Sequence, residues 1–121
     1  MKLFSLYFQL LWNHLTYVFA VTEPERFHSK LGVTYFHLGD FPRAIGHLKK
    51  SEKQRHRDDR AFARYNAYYL GVSLMYVGEC AEAIGYLDEY LRRKPDDEYI
   101  RECLSWCRSQ LESTEQMSNC A

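Results

Sequence analysis

The stretch LGVTYFHLGDFPRAIGHL, residues 31–48, returns in altered form as LGVSLMYVGECAEAIGYL, residues 70–87. Aligned without a gap, the two stretches share eight identical positions and are offset by 39 residues. Self-similarity at a period of roughly 20 to 50 residues is typical of proteins built from stacked supersecondary units. The sequence therefore predicts two copies of one unit, neither of which can bury its apolar face alone.

Each copy has the pattern of a helix, a turn and a second helix. Gly39 in the first copy and Gly78 in the second each divide two apolar stretches with helical spacing. We expect each glycine to end the first helix in a left-handed conformation. In the first copy Asp40 can cap the second helix, and Pro42 falls in its first turn, where a missing amide donor is tolerated.

Small residues recur at equivalent places inside the predicted helices. Gly32 and Gly71 lie within the first helix of each copy, and Ala44 and Ala83 lie within the second. A glycine inside a helix is unfavourable by about 1 kcal/mol relative to alanine. We therefore expect neighbouring helices to approach closely at these positions, since tight packing would offset that penalty.

At these residues the chain resembles the tetratricopeptide repeat family, whose unit of about 34 residues carries a Leu-Gly pair, an aromatic residue, a turn glycine, an alanine and a closing proline. The resemblance implies an all-α fold, a right-handed α-solenoid of antiparallel helix hairpins, and partner binding in its concave groove. The matching positions are Leu31-Gly32, Tyr35, Gly39 and Ala44 in copy one, and Leu70-Gly71, Gly78, Ala83 and Pro95 in copy two.

Copy one departs from the family pattern in two ways. His56 stands where the closing proline would fall, and the offset between the copies is longer than the family unit. The extra residues fall in the polar stretch KKSEKQRHRDDR, residues 49–60. They predict a longer second helix or a loop between the repeats.

Five segments are predicted along the chain. They are an apolar amino-terminal helix at 1–22, a first repeat at 23–57, a second repeat at 58–96, a capping helix at 97–112 and a flexible tail at 113–121. A capping helix needs a polar outer face, because a terminal unit otherwise leaves an apolar surface in water. Its predicted apolar stripe is formed by Ile100, Cys103, Leu104, Cys107 and Leu111.

The amino-terminal segment contains no charged residue between Lys2 and Glu23. Three interpretations are open: an amphipathic helix packed on the first repeat or on a partner, a membrane anchor formed by residues 1–21, and a cleaved secretion signal. The polar residues favour the first, because their spacing places them on one stripe that should face water. These residues are Ser5, Gln9, Asn13 and Thr16.

The composition gives little support for catalysis or nucleic-acid binding. The formal net charge is zero, and the basic run between Lys49 and Arg64 is interrupted by acidic residues and lacks interleaved aromatics. The histidines and cysteines have no spacing typical of a metal clip or a disulfide framework. We therefore predict a protein without catalytic residues, metal, cofactor or nucleic-acid partner, cytoplasmic or membrane-associated through residues 1–21.

The strongest functional signal is a stripe of tyrosines on the first helix of copy two. It lies on a different face from Leu70 and Leu74, which the repeat pattern assigns to packing. In proteins that the sequence resembles, this stripe lines the concave groove and holds an extended or helical peptide. Exposed Tyr and Trp also favour partner binding, since they offer a large area at a small entropy cost.

We therefore predict a protein–protein interaction module, an adaptor or scaffold, for which homo-oligomerisation is also open. The alternative function is an adaptor that residues 1–21 anchor to a membrane and that recruits a soluble partner there. For the tyrosines themselves, the competing interpretation is that the amino-terminal helix covers them and makes them core. The predicted contact residues are Arg26, Lys30, Val33, His37, Tyr65, Tyr68, Tyr69, Val72, Tyr76 and Trp106.

Overall fold

The computed structural model describes residues 2–17, 24–54 and 60–119. Regular structure within these ranges is entirely α-helical, without a strand, so the prediction of an all-α fold is confirmed. The described helices are α1 (Lys2–Tyr17), α2 (Pro24–His37), α3 (Phe41–Gln54), α4 (Arg60–Tyr76), α5 (Cys80–Arg93) and α6 (Glu98–Asn119). The second helix of copy one thus reaches Gln54, and residues 55–59 lie outside the described ranges.

The repeated stretches form the hairpins α2–α3 and α4–α5, and each turn contains a glycine in the left-handed region. The φ angle is 80° at Gly39 and 87° at Gly78. In the first turn the Gly39 amide donates to the carbonyl of Phe36 at 3.0 Å, and the Asp40 amide donates to that of Tyr35 at 2.9 Å. The second turn has the equivalent pair of bonds, so both are Schellman motifs. The prediction that these glycines end the first helices is confirmed.

Asp40 also caps α3, as predicted. Its carboxylate accepts a hydrogen bond from the Arg43 amide at 3.3 Å and lies 3.4 Å from the Arg43 guanidinium. The second hairpin differs, because Glu79 precedes α5 without a side-chain capping bond. The start of α3 is therefore fixed by its own sequence more firmly than the start of α5.

The two glycines inside the first helices lie where each hairpin is tightest. A Cβ atom on Gly32 would lie 2.6 Å from Cγ of Leu48, and one on Gly71 would lie 2.8 Å from Cδ2 of Leu87. These separations are well below the roughly 3.5–4.0 Å of a favourable carbon–carbon contact. The predicted close approach is confirmed, since a side chain at either position would push the helices apart.

The hairpins pack against each other around a common apolar core. The second hairpin meets both helices of the first, because α4 contacts α2 and α3. Both repeated alanines are fully buried in it, as the sequence predicts. Fully buried apolar members from the two hairpins are Leu31, Ala44, Leu48, Ala63, Ala67, Leu70, Val72, Ala83 and Leu87.

A buried polar relay joins the hairpins. The side chain of Asn66 in α4 is fully buried, accepts a hydrogen bond from the Ser29 hydroxyl of α2 and donates one to the Ser51 hydroxyl of α3, each at 3.1 Å. A buried amide without partners is unfavourable, so the relay selects the register in which α4 meets its neighbours. On the surface, the Lys49 ammonium of α3 lies 2.7 Å from the Glu82 carboxylate of α5, so an ion pair also joins the two hairpins.

Helix α6 packs on α5 and α4 and begins at an aspartate. The Asp97 carboxylate accepts hydrogen bonds from the Ile100 amide at 3.2 Å and from the Tyr90 hydroxyl at 2.7 Å. The predicted end of this helix at residue 112 is wrong, because α6 continues to Asn119. No glycine or proline interrupts residues 113–119, and the Glu, Gln and Met found there favour a helix. The predicted apolar stripe is confirmed, with Ile100, Cys103, Leu104 and Cys107 buried and Leu111 partly buried.

Helix α1 contacts α2 and, among the described helices, no other. Ser5 and Gln9 are exposed as predicted, but Asn13 is only 7% exposed. The prediction that the whole polar stripe faces water is therefore wrong at Asn13. Asn13 lies three positions after Leu10, so the two side chains share one face of α1. Leu10 packs towards the core, and the contact that buries it therefore also buries Asn13. The Thr16 side chain lies outside the described ones.

The membrane-anchor interpretation concerns residues 1–21, of which 1 and 18–21 lie outside the described ranges. Across residues 2–17, 24–54 and 60–119, no helix combines the length and the apolar content that crossing a bilayer requires.

Candidate partner-binding groove

An open groove lies where the tyrosine stripe of α4 meets α6. The two helices line a cavity of about 460 Å³. Three aromatic side chains in it are about half exposed: Tyr76 at 55%, Tyr99 at 45% and Trp106 at 48%. The full lining is Met75, Tyr76, Tyr99, Glu102, Cys103 and Trp106.

Local structure places each of these side chains. Tyr76 is the last residue of α4, immediately before the turn, and points to the end of α6 that follows the Asp97 cap. Tyr99, Cys103 and Trp106 are spaced by four and three residues, which puts them on one face of α6. The hydroxyls of Tyr76 and Tyr99 lie 3.3 Å apart, so a hydrogen bond joins the two helices across the groove.

A continuous aromatic cluster extends from the groove back to α2. The rings of Tyr76 and Phe41 stack with centroids 4.6 Å apart. Phe36 meets Phe41 at 5.6 Å and Tyr69 at 5.0 Å, both edge to face, and Tyr69 meets Tyr65 at 4.9 Å. Such pairs contribute about 0.5–1.5 kcal/mol each beyond burial. The cluster is therefore ordered before any partner arrives.

Most of the predicted contact residues lie on the surface of this region. Tyr76 and Trp106 line the same groove, and ring contacts join Tyr69 to Tyr65 and to His37. Val33 and Lys30 lie one and two turns, respectively, before His37 on α2. Those exposed or partly exposed are Lys30, Val33, His37, Tyr65, Tyr69, Tyr76 and Trp106. The side chain of Arg26 lies outside the described ones.

One predicted contact residue is buried, and another packs part of its ring against α5. Val72 is fully buried, so the prediction that it contacts a partner is wrong. Its neighbours three and four positions away on the helix surface are Tyr68, Tyr69 and Tyr76, and a valine among such large rings lies beneath them. Tyr68 is partly buried, and its ring packs on Tyr90 of α5 at 5.3 Å.

The alternative in which the amino-terminal helix covers the tyrosines is wrong for the described part of that helix. Helix α1 contacts α2 rather than α4, and Tyr65 and Tyr76 are 43% and 55% exposed. The aromatic surface is therefore accessible.

The groove carries little charge near neutral pH. A hydrogen bond with Tyr76, together with burial, raises the pKa of Tyr99 well above its ordinary value, and burial raises the pKa of the Cys103 thiol. Both groups stay neutral under physiological conditions. Glu102 contributes the single carboxylate among the lining residues. The site thus suits an apolar side chain on its rings and a basic group beside Glu102.

Other side chains that could act as a base, a nucleophile or a metal ligand are paired or buried. His28 Nδ1 lies 3.2 Å from His47 Nδ1, and burial together with the charge of Lys50 lowers the pKa of His28. Burial and the neighbouring Cys80 thiol raise the pKa of Cys107 to about 12, so this thiol is not a nucleophile near neutral pH. In the part of the chain that the structure describes, no three or more metal-ligating side chains come together.

Two contributions were missed from the sequence, although the comparison of copies contains a signal for each. Phe41 is not among the predicted contact residues, but its ring stacks on that of Tyr76; its counterpart in copy two is Cys80. Asn66 falls where copy one has the apolar Phe27. A polar residue at an otherwise apolar repeat position indicates a buried hydrogen-bonding role.

Comparison of the chain with protein-family models, with curated proteins and with solved structures finds no match. The resemblance to tetratricopeptide repeats therefore depends on the residues of the repeat itself.

Proposed function

We propose that the chain is a short right-handed solenoid of the tetratricopeptide kind that binds another protein between α4 and α6, as an adaptor or assembly module. The contacts support the stacking part of this proposal. Both helices of the first hairpin meet α4, and both helices of the second hairpin meet α6. Such nearest-neighbour contacts are typical of stacked hairpin repeats.

The observation that carries the binding function is the exposure of three aromatic side chains in one cavity. Tyr76, Tyr99 and Trp106 are about half exposed although they lie within a groove that a partner could fill. Gathered aromatic surface of this kind marks protein interaction sites, and Trp and Tyr dominate their binding energy.

The lining also indicates the chemistry of the partner. A peptide or an amphipathic helix would place an apolar side chain against Trp106 and Met75, and a Lys or Arg beside Glu102. The basic group would gain from the carboxylate and from the faces of the rings together.

The test is the loss of binding in Trp106→Ala. The partner is identified by affinity capture of the tagged full chain and mass spectrometry, and its affinity is then measured by titration. We expect Trp106→Ala to weaken binding at least about tenfold, as is typical of a central aromatic contact. Because about half of this side chain is buried, circular dichroism and thermal unfolding are measured first, so that loss of binding is scored on a folded variant.

The control is Met117→Ala, which removes a 76% exposed apolar side chain from the same helix but outside the groove. This variant should bind the partner as the unmodified chain does. A folded Trp106→Ala protein with unchanged affinity would place the binding surface outside the groove and refute the proposal.

A further inference from the structure

Helix α1 leaves a large apolar face uncovered. Its contact with α2 uses the adjoining side, on which Leu10 packs towards the core, and Tyr7 lies at the border of the two sides, beside the turn between α2 and α3. Six side chains on the uncovered side are between 57% and 77% exposed, and an apolar patch of this extent marks an interaction surface. They are Leu3, Phe4, Tyr7, Phe8, Leu11 and Trp12.

The order of residues on this face is symmetric about its centre. The six positions form two rows with a spacing of four residues: 3, 7 and 11 in one row, and 4, 8 and 12 in the other. The centre of the six positions taken together falls between Tyr7 and Phe8. An isologous dimer requires a face that is complementary to itself under a two-fold rotation. With two α1 helices antiparallel about this midpoint, the opposed pairs are Leu3 with Trp12, Phe4 with Leu11, and Tyr7 with Phe8.

The exposed area is sufficient for a stable dimer. At roughly 200 Å² for each large side chain and the observed exposures, the face offers about 700 Å² on each copy, hence up to about 1,400 Å² in total. Specific interfaces bury about 1,200–2,000 Å².

Charge favours a second copy over an anionic lipid surface. No charged residue occurs between Lys2 and Glu23, so two copies of α1 meet without repulsion between like charges. Helices that lie in a membrane interface carry several Lys and Arg on the polar side. The polar residues beside this face are the uncharged Ser5 and Gln9.

We propose that α1 is a self-association element through which two copies of this chain form an isologous, antiparallel helix dimer. The proposal is independent of the groove, because α1 contacts α2 among the described helices and leaves α4 and α6 free. A dimer of this kind presents two partner-binding grooves.

Sedimentation equilibrium of the full chain in detergent-free buffer at micromolar concentration tests the proposal. We expect a dimer whose dissociation constant rises at least about tenfold in Phe8→Glu, because the change places two carboxylates at the centre of the interface. Gln9→Glu is the control, since it adds the same charge one residue away on the polar side, and this variant should stay dimeric. Phe8 is 60% exposed, so its replacement should leave the fold of the single chain intact.

A charge-pair rescue makes the test specific for the antiparallel arrangement. Because Tyr7 of one copy opposes Phe8 of the other, a mixture of Tyr7→Lys and Phe8→Glu chains should form a heterodimer that neither variant forms alone. A monomeric unmodified chain, an unaltered dimer of Phe8→Glu, or a monomer that binds phosphatidylcholine–phosphatidylserine vesicles through α1 would each overturn the proposal.

Discussion

Two glycines of the first repeat should respond oppositely to replacement by alanine. Gly32→Ala should lower the stability of the protein, and Gly46→Ala should raise it. At Gly32 the new Cβ would lie 2.6 Å from Cγ and 2.8 Å from Cδ2 of Leu48, and 3.2 Å from the Ala44 carbonyl oxygen. Leu48 is fully buried and cannot move aside freely. This overpacking should destabilise the protein by about 2–3 kcal/mol. The higher helix propensity of alanine offsets about 1 kcal/mol of that loss. Gly32→Ala should therefore lower the free energy of unfolding by about 1–2 kcal/mol.

Gly46 is the matched position, because nothing lies within 4 Å of a Cβ placed there and the residue is exposed within α3. Gly46→Ala should raise the free energy of unfolding by about 0.5–1 kcal/mol through helix propensity alone. Urea unfolding followed by circular dichroism measures both values. In a Leu48→Ala background the Gly32→Ala change should become neutral or stabilising, since the opposing side chain has gone. Equal effects of the two alanines in the unmodified chain would refute the close packing at Gly32.

Two further predictions concern polar groups. Asn66→Ala should lower the free energy of unfolding by about 1–3 kcal/mol, because it removes the buried amide that the hydroxyls of Ser29 and Ser51 share as a partner. Urea unfolding checks this, and a loss below about 0.5 kcal/mol, the size of an ordinary surface effect, would contradict the relay. Burial is the largest cause, and the hydrogen bond to Asp97 the second largest, of the rise in the pKa of Tyr90 from 10.0 to about 12. The resulting stabilisation is complete below pH 10.0 and is lost as the pH rises towards about 12, so the difference in melting temperature between the unmodified chain and Tyr90→Phe should shrink over that interval. A constant difference would contradict it.

The features of the fold that were predictable from the sequence are those determined within one copy of the repeat. A glycine at the end of an apolar helical pattern determines its turn by the left-handed conformation it adopts, as at Gly39. The internal glycines mark close contacts, because alanine would otherwise be preferred there. The predicted end of α6 was wrong although the sequence contains the opposing signal, since no residue near 112 stops a helix and the helix continues to Asn119.

The candidate site was only partly predictable, because contacts with several helices together decide which of its side chains are buried. Helical spacing puts Val72 and Tyr76 on one face, but ring size decides that the valine lies beneath and the tyrosine outside. Asn66 depends on partners from two other helices, and Asn13 on how α1 docks against α2. Spacing along one helix contains none of this information.

The repeat and the groove are connected through α5, which packs against both helices that line the groove. Gly71 lets α4 approach Leu87 of α5 closely, and the hydrogen bond of Tyr90 to Asp97 ties α5 to the start of α6 at 2.7 Å. Tyr99 follows that aspartate by two residues, so its position relative to α4 depends on both contacts. The same glycine that allows the hairpin to close therefore also sets the separation of the two helices between which a partner would bind.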